Sequence, residues 1–219
     1  MTARLGGFWD SMLGEGRRYW ISANSDSHRH WSEGGVDFWP GEYSKTYVYA
    51  ESNHDSILEG IRAGRIFVTT GDLVSELYVT AAAADGDEAG IGGTLDLEFG
   101  ESVTVTIRVR DPGSENSHGD RPTIDHVDLI VGEILGVPAN SNQDTNATTR
   151  VVRSFNSDDW TRNNEFLTMT ESLDGVSRSL YLRVRGTSTD QTEPAPDPEG
   201  EDPWSDLWFY SNPVFLEID

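Results

Sequence analysis

Asp26, His28 and His30 occupy alternate positions in YWISANSDSHRHWSEGG, which covers residues 19–35. In an extended chain, side chains at positions i, i+2 and i+4 lie on one face, so a carboxylate and imidazoles can point at a common cation. The spacing alone leaves two interpretations open, a metal site or a loop of satisfied polar side chains. Two or three ligands from one strand rarely complete a site, because a catalytic zinc takes three protein ligands and keeps an open position.

The residues on either side of this stretch predict the elements that position it. RRYWISAN, residues 17–24, is typical of a buried strand that ends just before Asp26, and KTYVYA, residues 45–50, is typical of a second strand. A helix and a further strand over 65–69 follow, and a strand, helix, strand unit is the signature of an α/β layer. Such folds place their chemistry at the carboxyl ends of strands, which fits the position of Asp26.

The predicted helix carries its own start and stop signals in SNHDSILEGIRAG, which begins at residue 52. Ser52 or Asn53 is a suitable N-cap, and Gly64 is a suitable residue to end the helix. The helical period also predicts an apolar face, formed by Ile57, Leu58 and Ile61.

From Leu73 onward the helical period gives way to short alternating runs separated by Gly, Pro, Asn and Asp. Seven or eight strands at this spacing predict an antiparallel β-sandwich. We therefore place a domain boundary near residues 71–74 and predict a mainly β, α+β chain: a partial α/β region over 1–72 followed by a sandwich over 73–219. The predicted strands lie in residues 75–83, 102–110, 125–132, 149–155, 165–170, 177–186, 206–211 and 212–219.

Composition excludes several classes of function. The 219 residues include no cysteine, so disulfides and thiolate metal sites are absent and any metal must be held by oxygen and imidazole. A formal net charge of −22 repels phosphate backbones and anionic lipid headgroups, so we expect neither nucleic acid nor a membrane as partner. The chain shows no signal peptide and no apolar run long enough to span a bilayer, and we expect a soluble protein of undetermined compartment.

Three segments together resemble a known family: SANSDSH at a strand end, DSILEGIRAGRIFVTTGD after it, and the terminal WFYSNPVFLEID. They are similar to the last part of PHP-domain metallohydrolases, the family named after polymerase and histidinol phosphatase, and in particular to phosphoesterases with a β-rich domain after the barrel. The resemblance implies that Asp26 and His28 are metal ligands. It further implies a distorted α/β barrel that gathers zinc, manganese or iron ions, which activate water for attack on a phosphoester.

The sequence departs from this family at its beginning. The family opens with His-x-His on its first strand, whereas no histidine precedes Asp26 here. The chain thus resembles the end of such an enzyme without its amino-terminal ligands, and we expect weak metal binding and little or no hydrolysis of small phosphoester substrates.

Other residues of the region are candidates for the missing ligands. His30 and Glu42 are the further candidate ligands, and Asp37 and His54 lie in the same part of the chain. The preferred interpretation of DFWPGEY, residues 37–43, is structural: its aromatic residues pack as a lid, while Asp37 and Glu42 face water. The remaining histidines, His118 and His126, are interpreted as structural or exposed.

A second hypothesis assigns the chain no catalysis. The sandwich would then be a binding or assembly module, and the α/β part would be its scaffold. A partial barrel leaves unpaired strand edges and apolar faces that must be covered. Self-association is the simplest cover, so we expect a homo-oligomer.

Overall fold

Strands are the main regular elements of the computed structural model, which describes residues 4–25, 27, 38–140, 142–195 and 202–218. These residues form two short helices, α1 (Phe8–Gly14) and α2 (His54–Arg62), and thirteen strands. The strands are β1 (Ser44–Val48), β2 (Ile66–Thr70), β3 (Glu76–Ala83), β4 (Glu88–Gly90), β5 (Thr94–Leu97), β6 (Glu101–Arg110), β7 (His126–Glu133), β8 (Arg150–Phe155), β9 (Thr161–Asn163), β10 (Phe166–Val176), β11 (Leu180–Thr187), β12 (Trp208–Ser211) and β13 (Val214–Ile218).

The strands form two sheets that pack face to face. The larger sheet has eight strands in the order β1-β2-β12-β11-β13-β5, with β7 paired to β11 and β8 to β7. The smaller sheet has the order β4-β3-β6-β10-β9. Among the described strands, β5 and β13 pair in parallel and the other pairs are antiparallel. The predicted β-rich, sandwich-like architecture is confirmed.

The sandwich core follows from alternation along the strands. In β6, Val103, Val105, Ile107 and Val109 are each at most 1% exposed, as the sequence VTVTIRVR predicts. Fully burying such a side chain stabilises the fold by about 1.5–3 kcal/mol. All eight predicted runs contain a strand. The three strands that were not predicted, β4, β5 and β9, have only three or four residues each, too few for alternation to reveal.

The predicted strand, helix and strand over residues 45–69 are present, but their arrangement differs from the expected α/β layer. β1 and β2 are antiparallel neighbours, with Ser44 opposite Thr70 and Val48 opposite Ile66. Helix α2 therefore connects the two arms of a hairpin and does not cross over between parallel strands. Its N-cap is Asn53, whose side chain accepts a hydrogen bond from the Ser56 backbone N–H at 2.9 Å.

Helix α2 turns its glycine, and not its apolar residues, toward the sheet. A Cβ placed on Gly60 would lie 2.8 Å from Val48 Cγ1 and 2.9 Å from the Tyr49 carbonyl oxygen, so only glycine permits this close approach. The predicted apolar face points outward: Ile57, Leu58 and Ile61 are 37%, 48% and 43% exposed.

The prediction of a strand over residues 17–24 is wrong, because this segment forms no backbone ladder with another strand. No strand is assigned between residues 17 and 25, all of which are described. Side chains take the place of a backbone ladder, because Thr46 Oγ1 accepts from the Ala23 N–H at 2.9 Å and donates to the Ala23 carbonyl at 2.7 Å. Asn212 Oδ1 accepts from the Ile21 N–H at 2.9 Å. The segment therefore lies over a face of the large sheet.

The large sheet includes strands from both predicted domains. β2 pairs with β12, with Thr69 opposite Phe209 and Phe67 opposite Ser211. The turn between β2 and β3 leads from the large sheet to the small one, and the predicted boundary at residues 72 and 73 lies in this turn.

A second apolar cluster lies on the outer face of the large sheet, where α1 and the segment before residue 24 cover it. Its buried residues are Trp9, Leu13, Ile21, Val68, Tyr181 and Phe215. Neither described helix has the length or apolar character needed to cross a membrane.

Candidate functional site

Three of the four predicted metal ligands, Asp26, His28 and His30, lie outside the described residues, and the predicted metal site stays a prediction. Their flanking residues Ser25, Ser27 and Phe38 are described. These flanks place the ends of the segment beside the start of β1 and the end of β2. We call this region, formed by residues 24–25, 38–44 and 70–72, the mouth.

Hydrogen bonds join the parts of the mouth. The Ser44 hydroxyl donates to the Asn24 carbonyl at 2.6 Å, which ties the residues just before Asp26 to the first residue of β1. The Gly71 N–H donates to the Tyr43 carbonyl at 2.8 Å. The residues that lead into the candidate ligands are thereby held to the end of the sheet.

Glu42, the fourth candidate ligand, closes a turn. Its carboxylate accepts from the Trp39 N–H at 2.9 Å, and its own N–H donates to the Trp39 carbonyl at 3.0 Å. The side chain is half-buried. A carboxylate engaged with the backbone of its own turn matches the structural interpretation of DFWPGEY better than a ligand role.

An aromatic cluster of Phe38, Tyr43, Trp204 and His118 lines one side of the mouth. Phe38 stacks on Tyr43 with ring centroids 4.6 Å apart, and Trp204 meets both rings edge-on at 5.6 and 5.1 Å. His118 stacks on Trp204 at 5.1 Å. The predicted packing of Phe38 and Tyr43 is confirmed, whereas Trp39, expected to pack with them, is 51% exposed.

His118 reaches the mouth from the loop between β6 and β7. Asn116 anchors this loop, because its Oδ1 accepts from the backbone N–H groups of His118 and Asp120, each at 3.0 Å, and its Nδ2 donates to the Gly71 carbonyl at 3.2 Å. Asp120 Oδ2 lies 2.7 Å from His118 Nδ1 and raises the pKa of the imidazole. No pattern in the sequence predicts that this exposed histidine lies near residues more than seventy positions earlier.

A charged pair and a fixed turn complete the mouth. Lys45 Nζ forms an ion pair with Asp72, which directly follows the TTG sequence of the family resemblance. Both Gly71 and Asp72 have positive φ, at 57° and 56°. A Cβ on Gly71 would lie 2.5 Å from the Leu207 side chain, so glycine is required at this position.

Arg17 and Arg18, near the start of the chain, form ion pairs outside the mouth. Arg17 pairs with Glu15 at 2.6 Å, and Arg18 pairs with Glu217 at 2.6 Å and lies over the Phe215 ring. Both arginines are thus engaged in ordinary salt bridges. Within the described residues, no three His, Asp or Glu side chains gather in a way that could hold a metal ion.

Comparisons with protein-family models, with curated proteins and with solved structures find no match for this chain.

Proposed function

We propose that this chain is the closing part of a PHP-type metal-dependent phosphoesterase, with Asp26 and His28 as metal ligands. The observation that carries the proposal is the attachment of residues 21–24 to the sheet by side chains. This attachment brings the chain to the start of β1 immediately before Asp26. A carboxylate and an imidazole two positions apart at such a point are the donor types that divalent zinc, manganese or iron takes.

When bound, a divalent cation would lower the pKa of water and offset charge on phosphoryl oxygens. The chain's own residues supply the positioning. Thr46 and Ser44 fix the approach to Asp26, and Phe38 is fixed on Tyr43 at the other end of the segment. A fixed approach to Asp26 reduces the conformational entropy that the chain loses on binding a cation.

The proposed activity of the chain by itself is low. The five histidines are His28, His30, His54, His118 and His126, so the early ligands of the family have no counterpart before Asp26. With only two or three ligands the cation is held weakly. We therefore expect a phosphodiester to be hydrolysed slowly or not at all.

Calorimetric titration with Zn²⁺ and Mn²⁺ tests the ligand assignment. Asp26→Ala and His28→Ala should each abolish the measured binding, and His54→Ala, at the first residue of α2, should leave it unchanged. Equal affinity in all variants would rule out Asp26 and His28 as ligands. Tight stoichiometric binding together with rapid turnover of bis(4-nitrophenyl) phosphate would contradict the expected low activity.

The alternative function, a non-catalytic assembly module, is favoured by one observation. Helix α2 exposes three large apolar side chains, Ile57, Leu58 and Ile61, in one stripe. Self-association through this stripe would remove it from water. Sedimentation of a stable monomer at micromolar concentration would count against a homo-oligomer.

A further inference from the structure

Residues 20–23 form hydrogen bonds to the sheet from alternate backbone positions only. Asn212 Oδ1 accepts from the Ile21 N–H at 2.9 Å, and Asn212 Nδ2 donates to the Ile21 carbonyl at 3.4 Å. Two residues later, the Thr46 hydroxyl bonds both the N–H and the carbonyl of Ala23. The two side chains therefore bond this segment in the way that a neighbouring strand bonds every second residue of an antiparallel pair.

The other side of the same segment is unpaired. Trp20 and Ser22 carry the N–H and carbonyl groups between those bonds, and the backbone of neither residue makes a hydrogen bond to any described residue. Because alternate backbone groups of an extended chain point in opposite directions, these groups point away from Thr46 and Asn212. Ser22 is exposed and Trp20 half-buried. The segment thus presents a short open edge of two donors and two acceptors, and such edges pair with other extended chains.

A groove on the outer face of the large sheet borders this edge. Its volume is about 390 Å³, and residues 19–23 line it together with residues of β2 and β12. Val68 and Thr70 contribute from β2. Trp208 and Tyr210 contribute from β12, and their rings stack with centroids 6.2 Å apart. Side chains of a strand paired with the edge therefore have an apolar surface to pack on.

The groove favours an uncharged occupant. Its lining residues, at positions 19–23, 68–70, 208 and 210, are all uncharged, on a chain with 38 acidic and 16 basic residues. Arg183 and Arg185, whose charges act on the pKa of Tyr210, are paired with Asp10 and Asp128. A charged side chain entering the groove would lose water without gaining a counter-ion, whereas an apolar side chain would gain free energy from burial.

We propose that the open edge of Trp20 and Ser22 binds an extended, uncharged peptide of another molecule by strand addition. The main chain of the peptide exchanges hydrogen bonds with these two residues, and its alternate side chains enter the groove against Val68 and Tyr210. β-Branched residues are favoured there because they fit a pleated, half-buried surface. The proposal uses only residues 19–23 and the strands β1, β2 and β12, and it is independent of the phosphoesterase proposal.

The uncharged peptide acetyl-Thr-Val-Thr-Val-Thr-amide is the probe, and calorimetry on the full chain measures its binding. We expect a Kd on the order of 1 mM, as for a short ligand held by few hydrogen bonds. Amide hydrogen exchange followed by NMR locates the contact. In the free protein Trp20 and Ser22 should exchange faster than Ile21 and Ala23. Peptide at ten times its Kd should slow Trp20 and Ser22 by about tenfold and leave the other two unchanged.

N-methylated peptides test whether the main chain is recognised. In a strand pair only every second amide of the peptide faces its partner. One peptide is methylated at both valine nitrogens and the other at all three threonine nitrogens. We expect one of them to bind at least about tenfold more weakly and the other to bind within about twofold of the parent peptide. Full binding by both would show that side chains alone hold the peptide, and would overturn the proposal.

Substitutions at Ser22 test the protein side of the same contact. Ser22→Pro removes an N–H of the open edge and should weaken binding at least about fivefold, whereas Ser22→Ala keeps this N–H and should bind within about twofold of the wild type. Ser22→Pro deletes no hydrogen bond among the described residues, and proline suits an extended chain, so the midpoint of thermal unfolding should change little. If this variant unfolds, the N-methylated peptides carry the test on the wild-type chain.

Three results would overturn the proposal. The first is the absence of saturable peptide binding, and the second is equal binding by the wild type and a folded Ser22→Pro variant. The third is a dimer in sedimentation that the peptide dissociates and that Ser22→Pro abolishes, because the natural occupant of the edge would then be a second copy of the chain.

Discussion

Asp10 of α1 and Arg183 of β11 form an ion pair with two hydrogen bonds, from Arg183 Nε to Asp10 Oδ1 and from Nη2 to Oδ2, each 2.8 Å long. The two side chains are 1% and 0% exposed. Asp10 Oδ2 also accepts from the Gly6 N–H at 2.7 Å, and the guanidinium lies 4.9 Å from the centre of the Trp9 ring. The pair joins the amino-terminal helix to the centre of the large sheet.

Asp10→Asn should lower the free energy of unfolding by about 3–5 kcal/mol, because it leaves the Arg183 charge buried without its counter-ion. Urea denaturation measures this loss. Glu115→Gln is the control, since it breaks an exposed pair with Arg121 and should cost at most about 1 kcal/mol. Equal losses in the two variants would show that water reaches the Asp10 pair.

Thr46→Val should release the segment that precedes Asp26, because it deletes the hydroxyl that bonds both the N–H and the carbonyl of Ala23. We expect a loss of about 1–3 kcal/mol in unfolding free energy and faster amide hydrogen exchange at Ala23. Thr104→Val, on an exposed position of β6, is the matched control and should change neither. Unaltered exchange at Ala23 would mean that other contacts hold the segment.

Gly60→Ala should destabilise the protein, although alanine is favoured over glycine in an isolated helix by about 1 kcal/mol. The added methyl would meet the Val48 side chain and the Tyr49 carbonyl at less than 3.0 Å, so α2 must move away from β1. We expect a net loss of about 1–3 kcal/mol, as for overpacked sites, measured by thermal and urea denaturation. A stabilised variant would show that α2 does not rest on β1.

The pair of His118 and Asp120 should make stability depend on pH. The pKa of His118 is raised in the folded state by its hydrogen bond to Asp120, with a further contribution from the charge of Asp202. Its contribution is therefore fully present below the ordinary value of 6.5 and is lost as pH rises through the raised pKa. Asp120→Asn should lower the unfolding midpoint at about pH 5.5 and have less effect at about pH 8.5. A difference independent of pH would contradict this account.

Replacing an exposed apolar residue of α2 by a charged one tests whether copies of the chain associate through this stripe. Leu58→Glu should leave the stability of the monomer within about 0.5 kcal/mol, because the side chain is exposed. If copies associate through the stripe, the change should shift the sedimentation profile toward monomer. Phe99→Glu, on a 76% exposed residue between β5 and β6, serves as the control for added charge and should leave the profile unaltered.

Alternation along single strands made the sandwich predictable, as β6 illustrates, because its buried and exposed residues can be read locally. The N-cap at Asn53 was predictable for the same reason. The direction in which α2 faces was not predictable from the sequence, because the apolar period of Ile57 and Ile61 usually marks the buried side of a helix. The fit of Gly60 against Val48 depends on the tertiary structure.

In the candidate site, too, contacts between distant parts of the chain could not be predicted from local sequence patterns. The spacing of Asp26 and His28 leaves a cation site and a polar loop both open, and the hydrogen bond from the Trp39 N–H to the Glu42 carboxylate has no signal in the sequence. The approach of His118 depends on the contact between Asn116 and Gly71, which joins distant parts of the chain. The role of Asn212 in holding Ile21 has no local signature either.

The pairing of β2 with β12 makes the chain difficult to divide. A fragment starting at residue 73 would leave Phe209 and Ser211 with open backbone donors and acceptors along a newly made edge, and such edges promote aggregation. The β1–β2 hairpin alone would be a two-stranded ribbon, which is marginally stable in water. The contributions of the two parts are therefore best separated by point substitutions in the whole chain and not by cutting it.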